Sequence, residues 1–243
     1  MIQVSLGIDV EPDCPPYLST QYRGVEEGLP RVLDHLDAAG IPVTCFCTGQ
    51  VAERFPHRVA DIITRGHELA SHGHSHQPFD TLDAATARRD ITLSTATLRS
   101  FGAPVTSFRA PNLRFPDQYL PLLEEQGFLV DSSQAKYKRA YYTSRAVTSM
   151  TRVPASMTSS VLRLPAWIRD PWLLALASPV VLFVHPWEFV DLRRAQLRLD
   201  CRFRTGDAAL HALDDVIRLF RNRDAAFVRM TELRQKVHRS EAA

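Results

Sequence analysis

Short apolar runs alternate with stretches of helical period through most of this chain, and that alternation restricts the fold more than any other feature. "VSLGIDV" reads as a strand, and "GVEEGLPRVLDHLDAAG" as an amphipathic helix closed by Gly40. "IPVTCFCTG" is a second strand, "VAERFPHRVADIITRG" mostly helix, and "HELASH" a third strand. A helix through "DAATARRDITLSTATLRSFG", the strand "VTSFRAP", the helix "DQYLPLLEEQG" and the strand "FLVDSS" continue the order. Strands separated by helices with short connections predict a parallel sheet with helices packed outside it.

Beyond Gln134 the pattern loosens. "RVPAS" and "VLRLPAW" read as two short β-like pieces bounded by proline. The apolar strand "VVLFVH", a final helix "DAALHALDDVIRLFRN" and the piece "AAFVRMTEL", which can close the sheet, follow. A length of 243 residues suits one α/β domain, placed at 1–238 with 239–243 as a frayed tail.

A net charge of +2 gives no electrostatic footprint for a nucleic-acid partner. The most apolar segment, Trp172 to Val184, is interrupted by Pro179 and is shorter than the ~20 residues of a membrane-spanning helix. The start "MIQVSLGIDVE" alternates as a strand does and lacks the features of a signal peptide, so a cytoplasmic protein is expected. The four cysteines have no CxxC spacing, and Cys45 and Cys47 alternate onto one strand face as small apolar fillers.

In parallel α/β architectures reactive groups gather at the C-terminal ends of strands. Those ends carry Asp9 and Glu11, His72 and His76, Arg109, Asp131 and His185. His72 and His76 are four apart, so one helical turn or a tight loop can aim both imidazoles at one ion; His74 points elsewhere if the turn is helical. Alone, the cluster reads first as a polar loop rich in histidine. Asp9 and Glu11 share a side if the strand continues, one as metal ligand and the other as base, or else they cap a loop. Arg109 precedes a residue before proline and can hold a carboxylate such as Asp9 ionised, or serve in a structural pair. Asp131 suits a helix N-cap or the orienting partner of a histidine. His185 at the mouth of "LFVH" is either a hydrogen-bonded core histidine or a general acid, and Trp187 either packing or a sugar-stacking wall.

Taken in order, "GIDVE", "HGHSH", "RAPN", "VDSS" and "LFVH" resemble the motifs of the polysaccharide deacetylase family, the NodB-homology or carbohydrate esterase family 4 group. The resemblance implies an incomplete, distorted (β/α) barrel. It implies Asp9 as catalytic base, Glu11, His72 and His76 as ligands of a divalent metal (zinc first, cobalt or nickel otherwise), and His185 as acid. Asp131 would charge His185, and Arg109 would orient Asp9. Trp187 and Asn112 would then line the substrate groove. Three departures stand out: Val10 separates Asp9 from Glu11, with Asp13 nearby, Gly73 replaces a Ser or Thr, and Asn112 replaces an aromatic.

The implied reaction is metal-assisted removal of an N-acetyl or N-formyl group from an amino sugar, free or lipid-linked. "RGVEEGLPRVLDHL" resembles the lipid-linked aminoarabinose deformylases. The alternatives are an allantoinase-like hydrolase of a non-sugar amide and a non-catalytic carbohydrate-binding relative.

Overall fold

The longest strand, β1 (Gln3–Val10), pairs with three others in a sheet whose strand pairings, among the described residues, are all parallel. The computed structural model describes residues 1–139 and 146–233; the tail expected at 239–243 lies outside them. On one side of β1 follow β2 (Thr44–Cys47), β3 (Glu68–Ser71), β4 (Ser107–Phe108), β5 (Val130–Asp131) and β6 (Thr151–Arg152). On its other side lies β7 (Val180–Val184). A last short strand, β8 (Ala226–Phe227), pairs with the start of β1 at Gln3 and Val4 rather than closing the sheet. The sheet curls, and its two ends meet through Ser156: its N–H donates to the Val181 carbonyl (2.8 Å) and its Oγ accepts from the Val181 N–H (3.0 Å). This is the parallel sheet that the alternation predicted, curled into the incomplete (β/α) barrel that the resemblance implied.

Helices pack outside the strands. The main ones are α1 (Leu29–Ala38), α2 (Gly49–Arg54), α3 (Pro56–Thr64), α4 (Ala84–Arg99) and α5 (Leu120–Glu125). They are followed by α6 (Ser159–Leu162), α7 (Ala166–Leu174), α8 (Leu199–Arg202) and α9 (Asp207–Arg221). Leu29, Val32, Leu33 and Leu36 of α1 show why: spaced three and four apart, they form one buried stripe. The helix expected through "VAERFPHRVADIITRG" is divided at Phe55, because Pro56 cannot continue α2 but can open α3.

"VLRLPAW" is helical, not β. Val161 and Leu162 turn inward on α6, and Pro165 stands immediately before α7. Two prolines bounding a short apolar piece fit a helix start as well as a strand end. Cys45 and Cys47 are buried in β2, as expected of fillers. Among the described residues, no helix is long and apolar enough to cross a membrane.

Parallel pairing brings every strand's C-terminal end to one rim. The register sets Asp9 beside Phe46, Ser71 beside Phe108, and Phe108 beside Asp131. Residues one or two positions past these ends, including Glu11, His72, Arg109 and His185, therefore converge from distant parts of the chain.

Candidate active site

Arg109 organises the floor of the rim. Its side chain is fully buried, with Nη1 2.6 Å from Asp9 Oδ1 and Nη2 donating to Ser132 Oγ at 3.1 Å. The guanidinium lies 4.1 Å from the centroid of Phe46, close enough for a cation–π contact. Gly7 leaves the room: a Cβ there would sit 2.7 Å from Nη1 and 3.1 Å from Nη2. A strand glycine one pleat before Asp9 is thus explained by the close approach of a charged side chain.

Glu11 sits just past β1 in contact with three imidazoles. Its Oε2 lies 2.5 Å from His76 Nε2 and 3.3 Å from His72 Nε2, while Oε1 is 3.9 Å from His185 Nε2. Burial pushes the Glu11 carboxyl up, but His76, His185 and His72 together hold it well below the usual carboxylate range. His72 Nδ1 lies 2.8 Å from the Arg109 carbonyl, to which it can only donate. In the neutral ring Nε2 then presents a lone pair to a carboxylate oxygen, an opposition that a cation between them relieves. Ligating atoms of Glu11, His72 and His76 all lie within 4.8 Å of one another. Two imidazoles and a carboxylate, one imidazole fixed from behind by a carbonyl, fit a catalytic divalent metal with an open position.

His74 is outside this cluster, as expected, although the turn is not helical. His76 has a φ of 57° and Gly73 of 72°, so the loop reverses sharply. Asp90 of α4 fastens it: Oδ1 accepts the His74 N–H (2.7 Å), and Oδ2 accepts the Ser75 N–H (3.0 Å) and hydroxyl (2.6 Å). A Cβ at residue 73 would fall 2.8 Å from Asp90 Oδ1, which accounts for glycine in place of Ser or Thr. Sequence reasoning missed Asp90. Its signal is faint, a lone acid on a helix 14 residues after His76.

The expectation that Asp131 orients His185 is corrected by the structure. Asp131 accepts from the Ser133 N–H (2.9 Å) and from Arg152 Nε (3.0 Å). His185 Nδ1 instead lies 2.7 Å from Oε1 of Glu188, three residues further along a single turn, and Glu188 Oε2 is 2.7 Å from Arg163 Nε. Burial opposes charge on His185, but Glu11, Glu188 and Asp9 outweigh it, and its pKa is pushed up to about 9. Asp13 is likewise spoken for, accepting from the Arg23 and Gly24 N–H groups at the start of the first helical segment.

A cavity of about 260 Å³ opens above these groups, lined among others by Asp9, Glu11, His72, His76, Asn112, His185 and Trp187. Trp187 is 6% exposed; its ring stacks on the His185 imidazole (4.9 Å between centroids, 18° between planes) and its N–H points to Glu11 Oε1 at 3.4 Å. That occupied face is a support for His185 rather than the free sugar wall expected. Asn112, expected to line the groove, is exposed with φ 58° and lies in the cavity's lining.

The barrel rim brings a carboxylate–arginine pair, a Glu/His/His cluster and a polarised histidine to one cavity. The polysaccharide deacetylase family model matches residues 10–130, which include Glu11, His72, His76 and Arg109 and leave Asp9 and His185 outside. The chain belongs to the polysaccharide deacetylase family. It is 32% identical over 156 residues to a peptidoglycan deacetylase-like protein of Gibberella zeae, across 57% of this chain and 46% of that protein. The chain therefore spans less than half of that relative. Among solved structures, a Mycobacterium smegmatis protein bearing the polysaccharide deacetylase name superposes with a TM-score of 0.71 at 23% identity, over 98% of this chain and 91% of that one. A Bacillus anthracis family 4 pseudoenzyme, mutated to restore its activity, superposes at 0.66 with 17% identity, over 96% of this chain and 68% of that one. These two likenesses concern the fold.

Proposed function

We propose that this chain is a metal-dependent N-deacylase that removes an acetyl or formyl group from an amino sugar of the peptidoglycan type, polymeric or lipid-linked. The observation that carries it is the convergence of Asp9–Arg109, Glu11/His72/His76 and His185–Glu188 on one cavity. Glu11, His72 and His76 would hold the metal, which when bound supplies charge to polarise the amide carbonyl and acidify water. Zinc suits this donor set, with cobalt or nickel as substitutes.

The chain's own groups do the rest. Asp9, fixed in place by its ion pair with Arg109, takes the proton of the attacking water. His185 has Nδ1 committed to Glu188, so Nε2 faces the cavity; its raised pKa keeps it protonated near neutrality, ready to give that proton to the departing amine. Glu188, with Arg163 behind it, holds the ring.

The pseudoenzyme among the structural neighbours makes a non-catalytic member the pertinent rival. The presence here of base, acid and a three-residue ligand set favours catalysis. The test is release of acetate or formate from N-acyl amino sugars by the metal-loaded protein. Activity lost in Asp9→Asn, with metal retained, supports the assignment; no release from any N-acyl sugar refutes it. A cytoplasmic location is proposed only together with the lipid-linked substrate, and cell fractionation tests it.

A further inference from the structure

Beside the catalytic cavity lies a second, apolar groove of about 540 Å³, lined by Val161, Leu164, Leu199 and Phe203, with Ser160, Arg198 and Asp200. That volume falls within the roughly 300–1,000 Å³ of pockets that take small organic ligands. The reaction derived above uses none of it. Two lining residues, Ser160 and Asp200, belong to both spaces, so the groove continues the cavity. Moving outward, the lining passes from carboxylates and imidazoles, through a hydroxyl and a carboxylate, to aliphatic and aromatic carbon.

The groove is open to solvent: Leu199 in its lining is 66% exposed. A large apolar side chain left in water on an apolar groove marks a surface that an apolar partner covers. Arg198 and Asp200 at the edge are 3.1 Å apart and neutralise each other, leaving no net charge to recruit an anionic polymer.

We propose that this groove binds the apolar chain of an amphiphilic substrate whose N-acyl sugar head occupies the catalytic cavity. The inference rests on the deacylase function proposed above and narrows it, from amino sugars in general to those carrying an alkyl or polyprenyl tail. Ser160 and Asp200 stand where head and tail join; the Ser160 hydroxyl is a donor for a linking oxygen, and the Asp200 carboxylate an acceptor for a sugar hydroxyl. A glycan chain, by contrast, would leave the groove's hydrocarbon lining against polar hydroxyls.

The test compares the methyl and octyl glycosides of N-acetylglucosamine, the octyl form below its micelle concentration. In wild type the octyl glycoside should show a KM lower by about tenfold or more, which burial of two methylenes suffices to supply. Leu164→Asp should abolish that difference while leaving kcat/KM for the methyl glycoside unchanged. Leu199→Asp, at an exposed position, serves if Leu164→Asp fails to fold. Equal KM values in wild type, or a chain-length effect that survives both variants, would overturn the proposal.

Direct binding of octyl glucoside by calorimetry separates the two proposals. Binding lost in Leu164→Asp supports the groove even if no glycoside is hydrolysed, in which case only the deacylase reading fails. No binding of octyl glucoside overturns the groove alone. So does a wild-type dimer that Leu164→Asp makes monomeric without any chain-length effect, since a second copy would then be the occupant.

Discussion

Replacing Arg109 by Met isolates the contact on which the floor of the site depends. The guanidinium is fully buried, 2.6 Å from a carboxylate that is itself buried, donates to Ser132 and lies on Phe46. Met preserves much of the volume and removes the charge, leaving Asp9 ionised in the interior without a partner. Breaking one side of a buried pair costs about 3–5 kcal/mol, a large share of the roughly 5–15 kcal/mol that holds a domain folded. In urea, with a slope of about 1–3 kcal/mol per M, the midpoint should fall by about 1–5 M. Asp9→Asn in the Arg109→Met background removes the stranded charge and should recover about 2 kcal/mol or more, a coupling that a double-mutant cycle measures. The shortfall that remains is the Ser132 hydrogen bond and the Phe46 contact. If Arg109→Met unfolds within about 1 kcal/mol of wild type, or the two substitutions are simply additive, Asp9 is not held as described.

Further consequences are separable. Glu188→Gln removes an anion beside His185, so the imidazolium is less stabilised and its pKa falls; the alkaline limb of the kcat–pH profile should move to lower pH, whereas Asp131→Asn should leave it in place. In the metal-loaded enzyme the wild-type limb itself should lie below about 9, because a cation neutralises Glu11, the first of the anions that raise His185. Asp90→Ala frees the loop between His72 and His76 and should weaken metal affinity by about 10–100-fold, read by chelator competition, with kcat nearly restored at saturating metal. Gly7→Ala sets a methyl against the buried guanidinium and should cost about 1–3 kcal/mol in urea melts, together with most of kcat.

Much of this arrangement was legible because a parallel sheet turns sequence position into spatial position. Asp9, Glu11, His72, Arg109 and His185 each stand at or just past a strand end, and the register delivers them to one rim, with His76 on the loop that follows His72. Residues that support them obey no such rule. Glu188 reaches His185 through one turn after a proline, so "HPWE" carried the signal, yet Asp131 at a strand end looked the more natural partner. Asp131 goes to Arg152 because β5 and β6 are adjacent, an adjacency of two-residue strands that no periodicity announces. Asp90 acts across a helix–loop contact, and Gly7 through a side chain 102 residues away, so both depend on tertiary packing alone. The misread "VLRLPAW" had too few residues to distinguish period two from period 3.6.

The central claim is that Glu11, His72 and His76 form a metal site in a hydrolytic centre. Elemental analysis of the purified protein, wild type beside His72→Ala/His76→Ala, tests it most directly. About one zinc, cobalt or nickel per chain, absent from a folded double variant, is the expected result. A wild type that takes up no divalent metal even after reconstitution, or a double variant that keeps it, would contradict the account.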